Sequence, residues 1–245
     1  METKMKVNDL PLGAKLIFGF FRNKLYVEKE VIWTKVDVTN IFLSEDLKGL
    51  CFDGKEPGST QSIRRDNGNN YYTVSNLDQY LNSVDTDWYS PAHEADSKSG
   101  EYDGIPGFLS KFSENELNAI QPTEIEVILP KTEAETFQKE KEIIMRKIFI
   151  PRAANIQEWT SFREGLVRVN TSMWTRDPAT NDPSFVICLS GSGSTYTVDA
   201  RRTDINTKVA VTIKPDVMLE LDAEEPNCYR LLTNEIDEKD FASLI

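Results

Sequence analysis

This chain has little of the chemistry on which most enzymes depend. Its 245 residues include one histidine, His93, and three cysteines that lie far apart. A Ser-His-Asp or Cys-His pair would have to use that histidine, and no G-x-S-x-G elbow or neighbouring cysteine accompanies it. Zinc sites and disulfide frameworks usually show short spacings, which the cysteines lack. We therefore expect no enzyme activity, no cofactor and three reduced, buried thiols: Cys51, Cys188 and Cys228.

Positive charge and long apolar runs are also scarce. The chain has 28 Lys and Arg against 40 Asp and Glu, a formal net charge of −12. Nucleic acid and anionic membrane surfaces require a basic face, so we expect neither as a partner. No apolar run approaches the roughly 18 residues of a membrane helix, and the first residues lack the apolar centre of a signal peptide. We expect synthesis in the cytoplasm and no membrane insertion.

The hydrophobic pattern predicts many short strands with two inserted helices and long irregular loops, an α+β fold. Ser75 is expected to cap a helix over Asn76–Leu81. The pair Ser113 and Glu116 is typical of a capping box that opens a second helix. A hairpin turn is predicted at the glycines of SGSGS, Gly191 and Gly193. The predicted strands cover residues 14–21, 30–38, 124–129, 147–150, 184–189, 194–199 and 209–213.

Acidic and basic clusters offer only weak indications of a site. Glu94, Asp96, Glu101 and Asp103 lie in one loop, but their spacing departs from that of a calcium loop, so a solvated acidic loop is favoured over a cation site. We expect His93 to bond locally to backbone or carboxylate. The basic doublets favour loop ends or salt bridges over ligand sites; they are Arg64-Arg65 and Arg201-Arg202.

Aromatic residues allow two interpretations. The tryptophans are flanked by apolar residues or proline, so core packing is favoured for Trp33, Trp88, Trp159 and Trp174. The alternative is an aromatic platform for a sugar. Its candidate ligand-binding members are Tyr71, Tyr72, Trp88 and Tyr89.

The stretch GNNYYTVSNLDQYLNS, residues 68–83, followed by WYSPAHEAD, residues 88–96, has too many aromatic and asparagine residues for a plain helix or strand. With other segments in the same order, it resembles the DUF6273 family, which is common in phage and prophage structural regions. The resemblance extends over residues 9–221. The other segments are DLPLGAKLIFG, VIWTKVD, FDGKEP, YDGIPGFLSKFSENEL, KIFIPRAANI, MWTRDP and VTIKPDVML.

The resemblance implies a C-type-lectin-like frame, similar to the formylglycine-generating-enzyme fold, over residues 1–221. Residues 222–245 are then an acidic tail or arm. Formylglycine chemistry needs a metal-binding cysteine pair, which this chain does not supply. Within the frame, asparagine side chains would bond to loop backbone groups that could not otherwise be satisfied. They are Asn69, Asn70, Asn76 and Asn82.

The resemblance and the residues together favour a non-enzymatic structural component of a phage or phage-tail-like particle. The protein would be made in the host cytoplasm and assembled into the particle. Its partners would be other virion or tail proteins, and the sequence leaves homo-oligomerisation open. One alternative is an adhesin that binds a host-surface glycan or protein. A less favoured alternative is a cell-wall glycosidase that uses paired carboxylates.

Overall fold

Short strands dominate the chain. The computed structural model describes residues 4–22, 28–161, 171–225 and 227–232. The strands are β1 (Lys4–Lys6), β2 (Lys15–Arg22), β3 (Glu28–Lys35), β4 (Ile41–Ser44), β5 (Ile120–Gln121), β6 (Thr123–Ile128), β7 (Lys141–Arg146), β8 (Ile148–Phe149), β9 (Met173–Pro178), β10 (Phe185–Leu189), β11 (Thr195–Asp199), β12 (Ala210–Ile213), β13 (Met218–Leu221) and β14 (Cys228–Leu231).

The helices are short. They are α1 (Ser62–Asn67), α2 (Asn76–Leu81), α3 (Glu114–Ala119), α4 (Lys131–Phe137) and α5 (Ala153–Ser161), with 3-10 turns at Val7–Asp9, Tyr72–Val74, Gly100–Tyr102 and Phe108–Lys111. In the part of the chain that the structure describes, no helix has both the length and the apolar character that crossing a bilayer requires.

The strands form three sheets of nine, three and two strands. The large sheet has the order β1-β13-β14-β2-β3-β4-β12-β5, and β8 also pairs with β12. The small sheets are β11-β10-β9 and the hairpin β6-β7. The strand pairs are antiparallel except for β14, which runs parallel to β2. The protein is therefore a strand-rich mixed α/β fold, which confirms the coarse prediction.

The predictions that depend on short sequence motifs, two helix caps and one turn, are confirmed. Ser113 and Glu116 make the reciprocal bonds of a capping box, and α3 follows them. The Ser75 side chain accepts from the Asp78 N–H and caps α2. At the turn between β10 and β11, the Gly193 N–H donates to the Ser190 carbonyl at 2.9 Å.

The expectation of only two helices was wrong. Three further helices form in the described residues: α1, α4 and α5. Helices α1 and α4 have six and seven residues, too few for stability in isolation. An ion pair between Arg64 on α1 and Glu133 on α4 joins them, with Nη1 to Oε1 at 2.6 Å. Contacts distant in sequence, which a local pattern does not reveal, therefore help to stabilise them.

The predicted start of the tail, at residue 222, is too early. Residues 228–231 form β14, which lies inside the large sheet between β13 and β2. The Arg230 guanidinium bonds to the carboxylates of Glu30 on β3 and Asp222. Pairing with strands far away in sequence makes this segment part of the domain despite its acidic surroundings. Residues 233–245 lie outside the described residues.

A long segment between β4 and α3, residues 45–113, carries few regular elements and packs on the sheet; we call it the loop region. The Phe112 ring meets Phe18 of β2 edge-on, with centroids 5.7 Å apart. Phe18 in turn stacks on Trp33 at 5.0 Å. All four tryptophans are buried, which confirms the predicted core packing.

Candidate functional site

Asparagine side chains fix the path of the loop region. Asn70 Nδ2 reaches the carbonyls of Ala179, Asp182 and Phe185 at 3.3, 2.8 and 2.9 Å. Asn69 Oδ1 accepts from the Tyr71 N–H at 2.8 Å. Both asparagines are buried, so these bonds replace bonds to water.

Two further asparagines join this segment to its neighbours. Asn76 Oδ1 accepts from the Ser99 N–H at 2.7 Å. Asn82 Oδ1 accepts from the N–H groups of Lys147 and Ile148, each at 3.1 Å, and Asn82 Nδ2 donates to the Ile148 carbonyl at 2.9 Å. The predicted role of the four asparagines is confirmed: their amides bond to backbone groups of this segment and of its neighbours.

The four candidate platform residues do not present a row of open rings. Tyr72 is fully buried, and its hydroxyl accepts from the Ile150 N–H at 3.2 Å. Trp88 is also buried, and its Nε1 donates to the Ile105 carbonyl at 2.9 Å. The Tyr71 hydroxyl donates to Glu142 at 2.9 Å. Tyr89 remains half-buried at the rim of a small acidic pocket, so it alone of the four has both an exposed face and a polar neighbourhood.

Carboxylates from two distant segments converge at that pocket. Glu56, His93 and Asp96 each place one potential ligand atom within 4.8 Å of the others. His93 Nδ1 lies 3.2 Å from Asp96 Oδ2 and 3.9 Å from Glu56 Oε1. The His93 N–H also donates to Asp96 Oδ2 at 2.7 Å, so the predicted local bonding of His93 is confirmed. Asp53 lines the same pocket.

Burial dominates the electrostatics of this cluster. It raises the pKa of Asp53 to about 8, although N–H groups of Asn76 and Asn69 donate to the carboxylate and oppose the shift. Burial also raises the pKa of Glu56, against the bond from the Asn69 amide. Two neighbouring acids that both resist ionisation share one site, an arrangement common in binding and catalytic sites and also in structural networks.

Close backbone packing brings the two segments together. A Cβ atom at Gly54 would lie 2.2 Å from the Ser97 carbonyl oxygen, and one at Gly58 would lie 2.2 Å from the Glu94 carbonyl oxygen. Only glycine permits this approach. Ala95 has a φ of 71°, which turns the chain so that Asp96 faces back toward His93. The segment 53–58 is therefore a floor on which the loop 88–97 rests.

The remaining charged candidates serve in structure. Within the described residues, Glu56, His93 and Asp96 are the one group of three potential metal ligands, so Glu94, Glu101 and Asp103 do not join Asp96 in a cation loop. The basic doublets pair as expected: Arg64 Nη1 and Nη2 bond to the Glu133 carboxylate, Arg201 Nη1 donates to the Asp66 carbonyl, and Arg202 bonds to Asp204.

Sequence reasoning missed Asp53 and Glu56. They lie in FDGKEP, a turn-rich stretch that shows no metal or catalytic spacing. The usable signal was the pair of glycines that flank Glu56, Gly54 and Gly58, because tight glycines mark a close approach of another segment. Nothing in the sequence identifies which segment approaches.

The fold and this site define a strand-rich mixed α/β domain whose long loop region is held by buried polar side chains. The chain belongs to the family described as a domain of unknown function, DUF6273, which matches residues 38–215. That range covers more than half of the chain and all of the loop region, and it confirms the predicted family over a shorter span than 9–221. No curated protein and no solved structure matches the chain significantly.

Proposed function

We propose that the protein is a non-enzymatic structural component of a phage or phage-tail-like particle, with a C-type-lectin-like frame that contacts other particle proteins. The observation that supports this most directly is an exposed apolar pair on the hairpin β6-β7. Ile143 and Met145 of β7 are 55% and 54% exposed. Residues two apart on a strand point to one face, so the two side chains form a single outward surface. Such a surface favours a protein partner.

The inner face of the same strand is tied to the frame. The Glu142 carboxylate accepts from the Tyr71 hydroxyl, and the Arg146 guanidinium binds Asp78 on α2 with Nη2 to Oδ2 at 2.6 Å. Both partners belong to residues 68–83. Residues 68–83, one of the segments that resemble the family, therefore fix the orientation of the exposed pair. A rigid surface loses little conformational entropy when a partner binds.

Incorporation into particles tests the proposal. The double variant Ile143→Ser/Met145→Ser removes the apolar surface, and Val38→Ser/Val84→Ser removes two valines that are 67% and 52% exposed elsewhere. Mass spectrometry of particles purified from induced lysates should find the wild type and the valine variant at equal ratios to the other particle proteins, and much less of the hairpin variant. Absence of the wild type from particles would refute the function, and equal incorporation of all three would refute the role of the hairpin.

A host-surface adhesin is the second candidate, and an open cleft supports it. The cleft has a volume of about 590 Å³ and a mostly polar lining with two aliphatic side chains, Val198 and Ile205. The other lining residues include Lys48, Tyr196, Arg202, Asp204 and Asn206. Its size falls in the range of small-ligand sites, and a tyrosine among hydrogen-bonding groups suits a sugar. The half-exposed Tyr196 ring and Asn206 are the groups that we expect to contact it.

Binding to host cell wall tests this second candidate. Tyr196→Ala should abolish saturable binding in a cell-wall pull-down, whereas Tyr89→Ala, which alters the other polar pocket, should not. Binding that survives Tyr196→Ala would remove the cleft as the glycan site. No binding by the wild type, on cell wall or on a glycan array, would reject the adhesin altogether.

A further inference from the structure

We propose that Glu56, His93 and Asp96 form a binding site for a divalent transition-metal ion of the Zn²⁺ class, which fastens the loop 88–97 to the floor 53–58. The three ligand atoms lie within 4.8 Å of one another. Zn²⁺ binds such ligands at about 2.0–2.2 Å, which places neighbouring ligand atoms about 3.4 Å apart. The His93 side chain is 51% exposed, so its ring is free to rotate toward the two carboxylates.

Two carboxylate oxygens at this point have no hydrogen-bond partner. They are Glu56 Oε2 and Asp96 Oδ1. The Glu56 side chain is 4% exposed and that of Asp96 is 7% exposed, so neither oxygen is freely hydrated. A buried acceptor without a donor costs free energy, and for a carboxylate the cost is high. A cation between the two carboxylates would satisfy both oxygens at once.

Of the charged side chains that line the pocket, three are acids and one, Lys55, is basic. Asp53 adds a third buried acid to the pocket. Arg64 lies close enough to act on Glu56, but its guanidinium bonds to both oxygens of Glu133 at 2.6 and 3.0 Å. The other oxygens of the site are already committed, since Glu56 Oε1 accepts from Asn69 and Asp96 Oδ2 accepts from the His93 N–H. The oxygens measured beside His93 Nδ1 therefore already have partners, while each carboxylate keeps one buried oxygen without a hydrogen-bond partner for the ion.

The ligand types select the kind of ion. One imidazole nitrogen with two carboxylates suits Zn²⁺ or Mn²⁺, whereas Ca²⁺ and Mg²⁺ prefer sites made of oxygen alone. Three protein ligands leave further positions on the ion for water or for a group of a bound partner. The ion would close the loop against the floor from the solvent side, where His93 lies.

Calorimetric titration of the full chain with ZnCl₂, after treatment with a chelator and dialysis, tests the site. We expect one ion per chain and a weaker response to MgCl₂ and CaCl₂. His93→Ala should lower the Zn²⁺ affinity at least about 10-fold. Glu94→Gln, an exposed acid beside His93 that is outside the ligand set, should leave it unchanged. Since His93 is half-exposed, its substitution should leave the metal-free melting temperature close to that of the wild type.

Cobalt substitution gives a second, independent measurement. Co²⁺ added to the wild type should give visible absorption of a low-coordinate nitrogen and oxygen site, and His93→Ala should lose it. Absence of Zn²⁺ heat in the wild type, equal affinity in His93→Ala, or a stronger response to Ca²⁺ than to Zn²⁺ would each overturn the proposal. Glu56→Gln should weaken Zn²⁺ binding as His93→Ala does, and unchanged binding in that variant would also contradict the ligand set.

Discussion

The nine-stranded sheet and the loop region both contribute side chains to the buried core, but different bonds hold them. In the sheet, backbone groups pair with backbone groups, as in the register of β2 with β3 from Lys15↔Thr34 to Arg22↔Glu28. In the loop region, side chains take that role: Asp53 and Asn76 bond to backbone N–H groups 16 to 23 residues away, and Asn69 bonds to the Tyr71 N–H. A strand tolerates many side chains at one position, whereas these bonds depend on one amide or one carboxylate.

This difference shows where the fold is most sensitive to sequence. A substitution on the sheet changes packing but leaves the ladder intact. A substitution at a bonding side chain in the loop region leaves buried backbone groups without partners, which costs about 1–3 kcal/mol per group. Glycines add a second constraint, because they allow the loop 88–97 to lie directly on residues 53–58. The loop region therefore depends on buried polar bonds as well as on its apolar packing, and three predictions test that conclusion.

The largest effect is expected for Gly54→Ala. The new methyl group would lie 2.2 Å from the Ser97 carbonyl oxygen and 2.9 Å from the Ser99 N–H nitrogen, both backbone atoms that cannot move aside. We expect a loss of about 3 kcal/mol or more of unfolding free energy in urea. The Ser97 segment would also lift away from Glu56.

The matched control is Gly193→Ala in the turn between β10 and β11. Gly193 has a φ of +83° but no atom within 4 Å of the added methyl group, so only backbone strain opposes the change. That strain costs about 1–2 kcal/mol. Equal losses of stability in the two variants would show that Gly54 is not required for close packing between the loop and its floor.

Much of this arrangement could be predicted, but only where the signal is local. The capping box at Ser113 and the helix after Ser75 follow from spacings of three residues. The role of the asparagines followed from the need to satisfy backbone groups in a long loop. The resemblance of several sequence segments identified the family to which the chain belongs.

The missed features depend on contacts between segments distant in sequence. Helix α1 needs Glu133, 69 residues from Arg64, and β14 needs β2 near the start of the chain. The carboxylate cluster joins Glu56 on the floor to His93 on the loop, and no sequence spacing predicts that these two segments meet. Tertiary contacts override local propensity at each of these points.

An intermediate effect is expected for Asn70→Ala. Its amide reaches three carbonyls. Phe185 O also accepts from the Ala179 N–H and Asp182 O from the Phe185 N–H, so Ala179 O is the carbonyl that loses its donor. We expect a loss of about 2 kcal/mol. Asn181→Ala removes an exposed asparagine from the same turn and should change the stability by less than about 0.5 kcal/mol. Equal values in urea unfolding would show that the amide of Asn70 does not brace the loop.

Taken per pH unit, the smallest effect is that of pH, and it tests whether buried acids make the loop region different from the sheet. The pKa of Asp53 is raised from its ordinary value of 3.8 to about 8, so between these values the folded state binds more protons than the unfolded state. Stability should therefore fall as pH rises through this window, by up to about 1.4 kcal/mol per pH unit for one proton. Glu56, whose pKa is also raised, adds to the fall.

Urea unfolding between pH 5 and 7.5, in buffer with a chelator to exclude bound metal, measures this slope. In Asp53→Asn the slope should shrink, because an amide does not titrate. The overall stability should also drop, because one N–H donor then faces the N–H groups of the new amide. Glu94→Gln, an exposed acid in the facing loop, should keep the wild-type slope. An unchanged slope in Asp53→Asn would mean that the carboxylate is ionised in the folded state and that its N–H donors stabilise the charge.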